Sequence, residues 1–128
     1  MAIRDLEYSP TVLAYFDQPH RAGTLKVPKT QMVEGRSGTT REGFVVQFQL
    51  QVAGQAITDG RYRVYGCPHG IAAAAWVVDQ LIGGATRNVG QIRPQQIAEA
   101  LDLPVEKMYV ALIVEDALKQ CAAQVEEE

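Results

Sequence analysis

The stretch Phe44-Val45-Val46-Gln47-Phe48-Gln49-Leu50-Gln51-Val52 decides the fold. Phe44, Val46, Phe48, Leu50 and Val52 fall on one side of an extended chain, and Gln47, Gln49 and Gln51 fall on the other. Successive side chains of a strand point to opposite faces. A period of two therefore marks a strand with one face buried and one in water, the pattern of an antiparallel sheet. Ala53-Gly54-Gln55 supplies a turn. Ala56 to Gly66 then resumes the pattern, with Tyr62 and Val64 set against Arg61, Arg63 and Tyr65, so the two segments make a hairpin.

At Cys67 the period changes. Pro68 suits the first position of a helix. Ile71, Ala74, Ala75, Val78 and Leu81 recur at helical spacing, and Gly83-Gly84 stops the helix. Downstream, Pro94 to Leu101 reads as a short helix broken by Leu103-Pro104. Val105 to Val125 reads as a long amphipathic helix with Leu112, Ala117, Leu118, Cys121 and Val125 on its apolar stripe. Upstream, Tyr8 to Phe16 is predicted as a short helix capped by Ser9, with Val12, Tyr15 and Phe16 on one face and Pro19 closing it. Between that helix and the hairpin, a short strand is predicted near Thr30 to Glu34. A flexible loop is predicted over Gly35 to Gly43, where Gly, Ser and Thr crowd together. Helix, strands, then helices is the order of an α+β protein: a small antiparallel three-stranded sheet with helices packed on it.

The bulk numbers fit this. The chain has 128 residues, read as one domain over 1–128. Hydrophobic residues make up 47% and charged residues 21%, which is globular rather than disordered. The formal net charge of −3, with Glu126, Glu127 and Glu128 at the end, gives no general attraction to nucleic acid or to acidic membranes. Met1 to Tyr8 carries Arg4, Asp5 and Glu7 and shows no signal-peptide pattern. The longest apolar run, Ile71 to Val78, is too short to cross a bilayer. The expected location is the cytoplasm. There, two cysteines, Cys67 and Cys121, do not make a disulfide framework. No Ser–His–Asp arrangement, phosphate-binding loop or H-E-x-x-H pattern is present, so a binding protein is expected rather than an enzyme.

Cys67 follows a strand and opens a helix, where unpaired backbone N–H groups and the positive end of the helix dipole favour a thiolate. A thiolate binds iron or accepts sulfur. The same thiol would serve equally as small apolar filling at a strand–helix junction. Cys121, on the stripe of the last helix, reads as core, and His20, beside Pro19, as structural or exposed.

Four segments carry a resemblance. Tyr15-Phe16-Asp17-Gln18-Pro19-His20-Arg21-Ala22-Gly23 is similar to the pattern H-Y-x-N-P-R-N-x-G, and Arg63-Val64-Tyr65-Gly66-Cys67 to F-K-x-Y-G-C. Ile97-Ala98-Glu99-Ala100-Leu101-Asp102-Leu103-Pro104 is similar to I-A-x-x-L-x-L-P, and Lys107 with Leu112 to Leu118 to the start of a last helix. In this order and spacing, over roughly Tyr8 to Gln124, they resemble the NifU N-terminal / IscU-type scaffold family. The resemblance implies an IscU-like fold and a part in iron–sulfur cluster assembly. Cys67 would be the middle one of three cluster cysteines. A cysteine desulfurase would deliver sulfur, and an Hsp70-type chaperone would contact Leu103-Pro104-Val105-Glu106-Lys107.

The departures from that pattern restrict the chemistry. Glu42 stands at the family's first cysteine, and Tyr109 and Val110 stand at its histidine and third cysteine. Iron–sulfur clusters are held mostly by four thiolates, so one cysteine per chain does not hold an ordinary [2Fe–2S] cluster in a monomer. His69 offers an imidazole, which suits iron and zinc, or is an exposed first-turn histidine. Glu42 offers a carboxylate, or is a charged loop residue in water. The ligand set would be completed by mixed Cys67, Glu42 and His69 ligation, by a cluster bridged between two chains of a homodimer, or by a partner's ligands. A cluster-free adaptor of the assembly machinery and a single-site zinc protein remain as alternatives.

Overall fold

In the computed structural model, which describes residues 8–126, the alternation over Phe44 to Val52 is realised as the central strand of a sheet. Three strands, β1 (Met32–Thr39), β2 (Phe44–Ala53) and β3 (Ala56–Tyr65), pair antiparallel in the order β1-β2-β3. Phe44, Val46, Phe48 and Leu50 are fully buried, and a bulge between Gln51 and Val52 ends the strict alternation. Gly54, at φ +62°, makes the tight turn between β2 and β3. Among the described residues four α-helices follow the predicted order: α1 (Pro10–Asp17), α2 (Pro68–Leu81), α3 (Pro94–Leu101) and α4 (Met108–Glu126). Among the described residues no helix is long and apolar enough to cross a membrane.

The inner face of the sheet meets α2 and α4, and the core runs from Phe48 and Leu50 to Val78, Leu81, Val114 and Leu118. Ser9 caps α1 by accepting from the Val12 amide at 3.2 Å. Its hydroxyl also donates to the Leu101 carbonyl at 2.6 Å, which ties α1 to the end of α3.

Three expectations are corrected. The flexible loop predicted over Gly35 to Gly43 is mostly strand: β1 continues to Thr39, and only Thr40 to Gly43 form the turn. Gly35 and Gly38 are places of close approach. A Cβ at Gly35 would collide with the Ala117 carbonyl of α4, and one at Gly38 with the Phe44 carbonyl. The predicted stripe of the last helix is also out of phase at its start. A 3-10 turn covers Val105 to Lys107, α4 begins at Met108, and the buried face opens with Val110, Ala111 and Val114. Leu112 is 55% exposed. Phe16, expected on the buried side of α1 with Val12, lies at its margin at 36% exposed.

The free edge of β1 is covered by side chains. The Glu34 amide donates to Gln124 Oε1 and the Arg36 amide to Gln120 Oε1, both at 3.0 Å. The same two amide groups donate back to the Glu34 and Arg36 carbonyls. Four residues of helix rise about 6 Å and two residues of strand about 6.6 Å, so residues at helix spacing i, i+4 meet strand positions i, i+2. The paired glutamines stand in for a fourth strand and close an edge that would otherwise be open to another chain.

Candidate functional site

The period change at Cys67 places one thiol at the end of the sheet where β3 gives way to α2. Cys67 is the N-cap of α2. Its backbone is extended (φ −82°, ψ 171°), and its carbonyl accepts from the Gly70 and Ile71 amides at 3.0 and 3.2 Å. Its side chain makes no capping bond, so the sulfur is left for other partners. The first turn sits directly on the sheet because Gly70 has no Cβ, and one there would overlap the Phe44 ring. The buried end of β2 thereby sets the position of the thiol.

Two charged or polar side chains reach the sulfur. His69 Nδ1 and Lys107 Nζ each lie 3.8 Å from Cys67 Sγ. Cys67 is half-buried, unlike Cys121, which is sealed in the core. His69 is not the exposed first-turn histidine of one sequence reading. It is only 4% exposed, with the Tyr8 ring packed on it at 4.7 Å between centroids. Burial, then the Lys107 ammonium, lowers its pKa from the ordinary 6.5, which favours the neutral ring at pH 7. Burial alone would lower Lys107 as well. Electrostatic attraction to Cys67 and to Tyr109 outweighs it and raises the Lys107 pKa above its ordinary value. Lys107 also stands 5.8 Å over the Tyr109 ring.

Glu42 does not join this group. It lies in the exposed turn after β1, where its carboxylate accepts from the Thr39 hydroxyl at 3.0 Å and its amide donates back to Thr39 Oγ1 at 3.1 Å. Among the described residues no three of His, Cys, Asp and Glu stand together as a metal site. Cys67 and His69 supply two ligands, half of what a [2Fe–2S] cluster or a tetrahedral ion requires, so a single chain does not fit either group unaided. Within the segment expected at a chaperone, Val105 is 86% exposed while Lys107 turns in to the thiol. The contact between Cys67 and Lys107 had no signal in the sequence, because it joins residues 40 apart on different elements.

Cys121 and His20 lie elsewhere. Cys121 is buried in the core, and burial pushes its thiol up to about 12. His20 is exposed and bonds Asp79 Oδ1 at 3.2 Å. A groove of about 640 Å³ lies between the β2–β3 turn and the far end of α4, lined by Gln55, Thr86, Arg87 and Val125 among others. It holds neither cysteine nor histidine.

Comparison with known proteins agrees with this geometry. The chain is 30% identical to the iron-sulfur cluster assembly scaffold protein IscU of Haemophilus influenzae, over 92% of this chain and 94% of that one. It is 29% identical to the protein of the same name from Rickettsia prowazekii, over 92% and 91%. In three dimensions it is similar to the N-terminal part of a nitrogen-fixing NifU-like protein from Brucella abortus. That match has a TM-score of 0.73 and 19% identity, and covers 99% of each chain. The sequence profile described as the NifU-like N terminal domain matches residues 7–128, and the chain belongs to that family.

Proposed function

We propose that this chain, acting as a single domain in the cytoplasm, is a scaffold-like protein of iron–sulfur cluster assembly. It takes up iron or an iron–sulfur intermediate through Cys67. The observation that carries the reading is the part-buried sulfur 3.8 Å from both the Lys107 ammonium and the His69 imidazole. A thiolate is the form that accepts sulfur or binds iron, and an ammonium at that distance is a donor suited to it. The role is a carrier's rather than an enzyme's. Cys67 receives, Lys107 donates to the sulfur, and neutral His69 is free to give or take a proton at Nδ1. The relatives named above support the assembly context.

The sulfur source fitting this site is a persulfide on a cysteine desulfurase. Its terminal sulfur would pass to the Cys67 thiolate: the donor S–S bond breaks, a new S–S bond forms at Cys67, and the donor leaves as a thiolate. No net oxidation occurs. The exposed Val105 end of the Leu103 to Lys107 segment is the part open to an Hsp70-type chaperone. Incubating the reduced chain with a cysteine desulfurase and cysteine, then mapping peptides by mass spectrometry, tests this. One added sulfur atom on Cys67 and none on Cys121 is the expected result. An unmodified Cys67 would leave the second reading, a cluster-free adaptor, which the incomplete ligand set of one chain favours.

A further inference from the structure

We propose that the outer face of the sheet, at the cross-strand row of Arg36, Gln47 and Arg63, docks an acidic helix of a partner protein. The inference goes beyond the reading of Cys67 and uses neither the thiol nor a metal. The outer face has two unlike halves. In one, the polar side chains are paired. Gln49 Nε2 donates to Glu34 Oε1 at 2.7 Å, and Arg61 pairs with Asp59. The Leu25 amide donates to Gln49 Oε1 at 2.8 Å, so the chain before β1 reaches that half. In the other half, strand register sets Arg36 opposite Gln47 and Gln47 opposite Arg63. Both arginines are exposed, and among the described residues neither guanidinium has a hydrogen-bond or ion-pair partner.

A shallow groove of about 220 Å³ runs between these arginines, lined by Arg36, Val45, Gln47, Arg63, Val64 and Tyr65. No carboxylate lines it, and the Tyr65 ring is 59% exposed. Free guanidinium groups with no acid beside them suit carboxylates, and Val45 with Tyr65 offers apolar surface to one side chain between them. Neighbouring strands lie about 4.8 Å apart, so Arg36 and Arg63 stand about 10 Å apart across Gln47. Seven residues of α-helix rise about 10.5 Å and return to the same face. Carboxylates at i and i+7, with a leucine at i+4, therefore match the two arginines and the groove. Nucleic acid is the other polyanion and suits the face less well. A chain of net charge −3 that offers two free arginines here gains little from counterion release.

The test titrates the full chain with a capped, alanine- and glutamine-based helical peptide, followed by amide NMR. The peptide has about 18 residues, enough to hold a helix, with two glutamates seven apart and a leucine between them. A second peptide carries glutamine in place of each glutamate. The expected result is saturable shifts at Val45, Gln47, Arg63 and Tyr65 with the glutamate peptide and none with its glutamine counterpart. Arg36→Gln and Arg63→Gln, both at exposed positions, should keep the spectrum of the folded chain and each weaken binding by about two- to fivefold, the range of an exposed ion pair. Arg87→Gln, at the far groove, should bind as wild type does. Equal shifts with the glutamine peptide, no shift on the sheet face at millimolar peptide, or unchanged binding by both Arg36→Gln and Arg63→Gln would each overturn the proposal. A single-stranded oligothymidylate that binds this face more tightly than the peptide at about 150 mM salt would overturn it in favour of nucleic acid. Shifts on the face that grow with the chain's own concentration alone would overturn it in favour of a second copy.

Discussion

The Lys107 ammonium stands 3.8 Å from the Cys67 sulfur although 40 residues separate them in sequence. The contact joins the start of α2 to the turn that leads into α4, so the fold itself brings a cation to the thiol. Nothing local to either residue would do so.

Removing that cation should slow the thiol. Lys107→Met leaves the stem and deletes the ammonium that donates to Sγ at 3.8 Å. Losing one hydrogen bond of about 1 kcal/mol is worth about fivefold. Alkylation of Cys67 by iodoacetamide near neutral pH should fall by about that factor. An unchanged rate would mean that the ammonium does not act on the sulfur.

Gly70→Ala sets two effects against each other. Alanine in place of glycine favours a helix by about 1 kcal/mol. A Cβ there overlaps the buried Phe44 ring, and overpacking costs roughly 1–3 kcal/mol. The overlap should win, lowering the urea midpoint and shifting the Phe44 and Cys67 resonances. A more stable variant would contradict the packing described.

The glutamine ladder should be measurable strand by strand. Gln124→Ala removes a donor and an acceptor from the Glu34 backbone, at about 1 kcal/mol for each bond lost. Amide exchange should quicken at Glu34 in Gln124→Ala and at Arg36 in Gln120→Ala, with the central strand unaffected.

Stability should fall at both ends of the pH scale, for opposite reasons. His69 has a pKa lowered by burial, so the unfolded chain binds its proton more readily. Its contribution is present above 6.5 and is lost as pH falls below that value. Cys121 is raised from 9.0 to about 12, so the unfolded chain ionises first. That contribution is complete below 9.0 and is lost as pH rises toward 12. In urea unfolding, His69→Gln should flatten the acid limb and Cys121→Ala the alkaline limb, each leaving the other in place.

Much of this was legible in the sequence because it depends on local periodicity. The Phe44 to Val52 alternation, the change of period at Cys67 and the proline-started helices need no distant partner. What was misread depends on tertiary contact. Gly35 and Gly38 look like loop residues until α4 is seen lying against them. His69 looks exposed until Tyr8 closes over it. Lys107 belongs to a segment expected to face a chaperone, and only the packing of its turn against the end of the sheet turns it to the thiol. Leu112 was misplaced because, at five and six residues before Ala117 and Leu118, it falls off the helical face that Val110, Ala111, Val114, Ala117 and Leu118 share.

Anaerobic reconstitution with ferrous iron and a sulfide source, followed by iron and sulfide analysis of wild type and Cys67→Ser, bears most directly on the role assigned to Cys67. The account predicts iron and sulfide retained by the wild-type chain and lost in Cys67→Ser. Equal retention by both, or none by either, would contradict it.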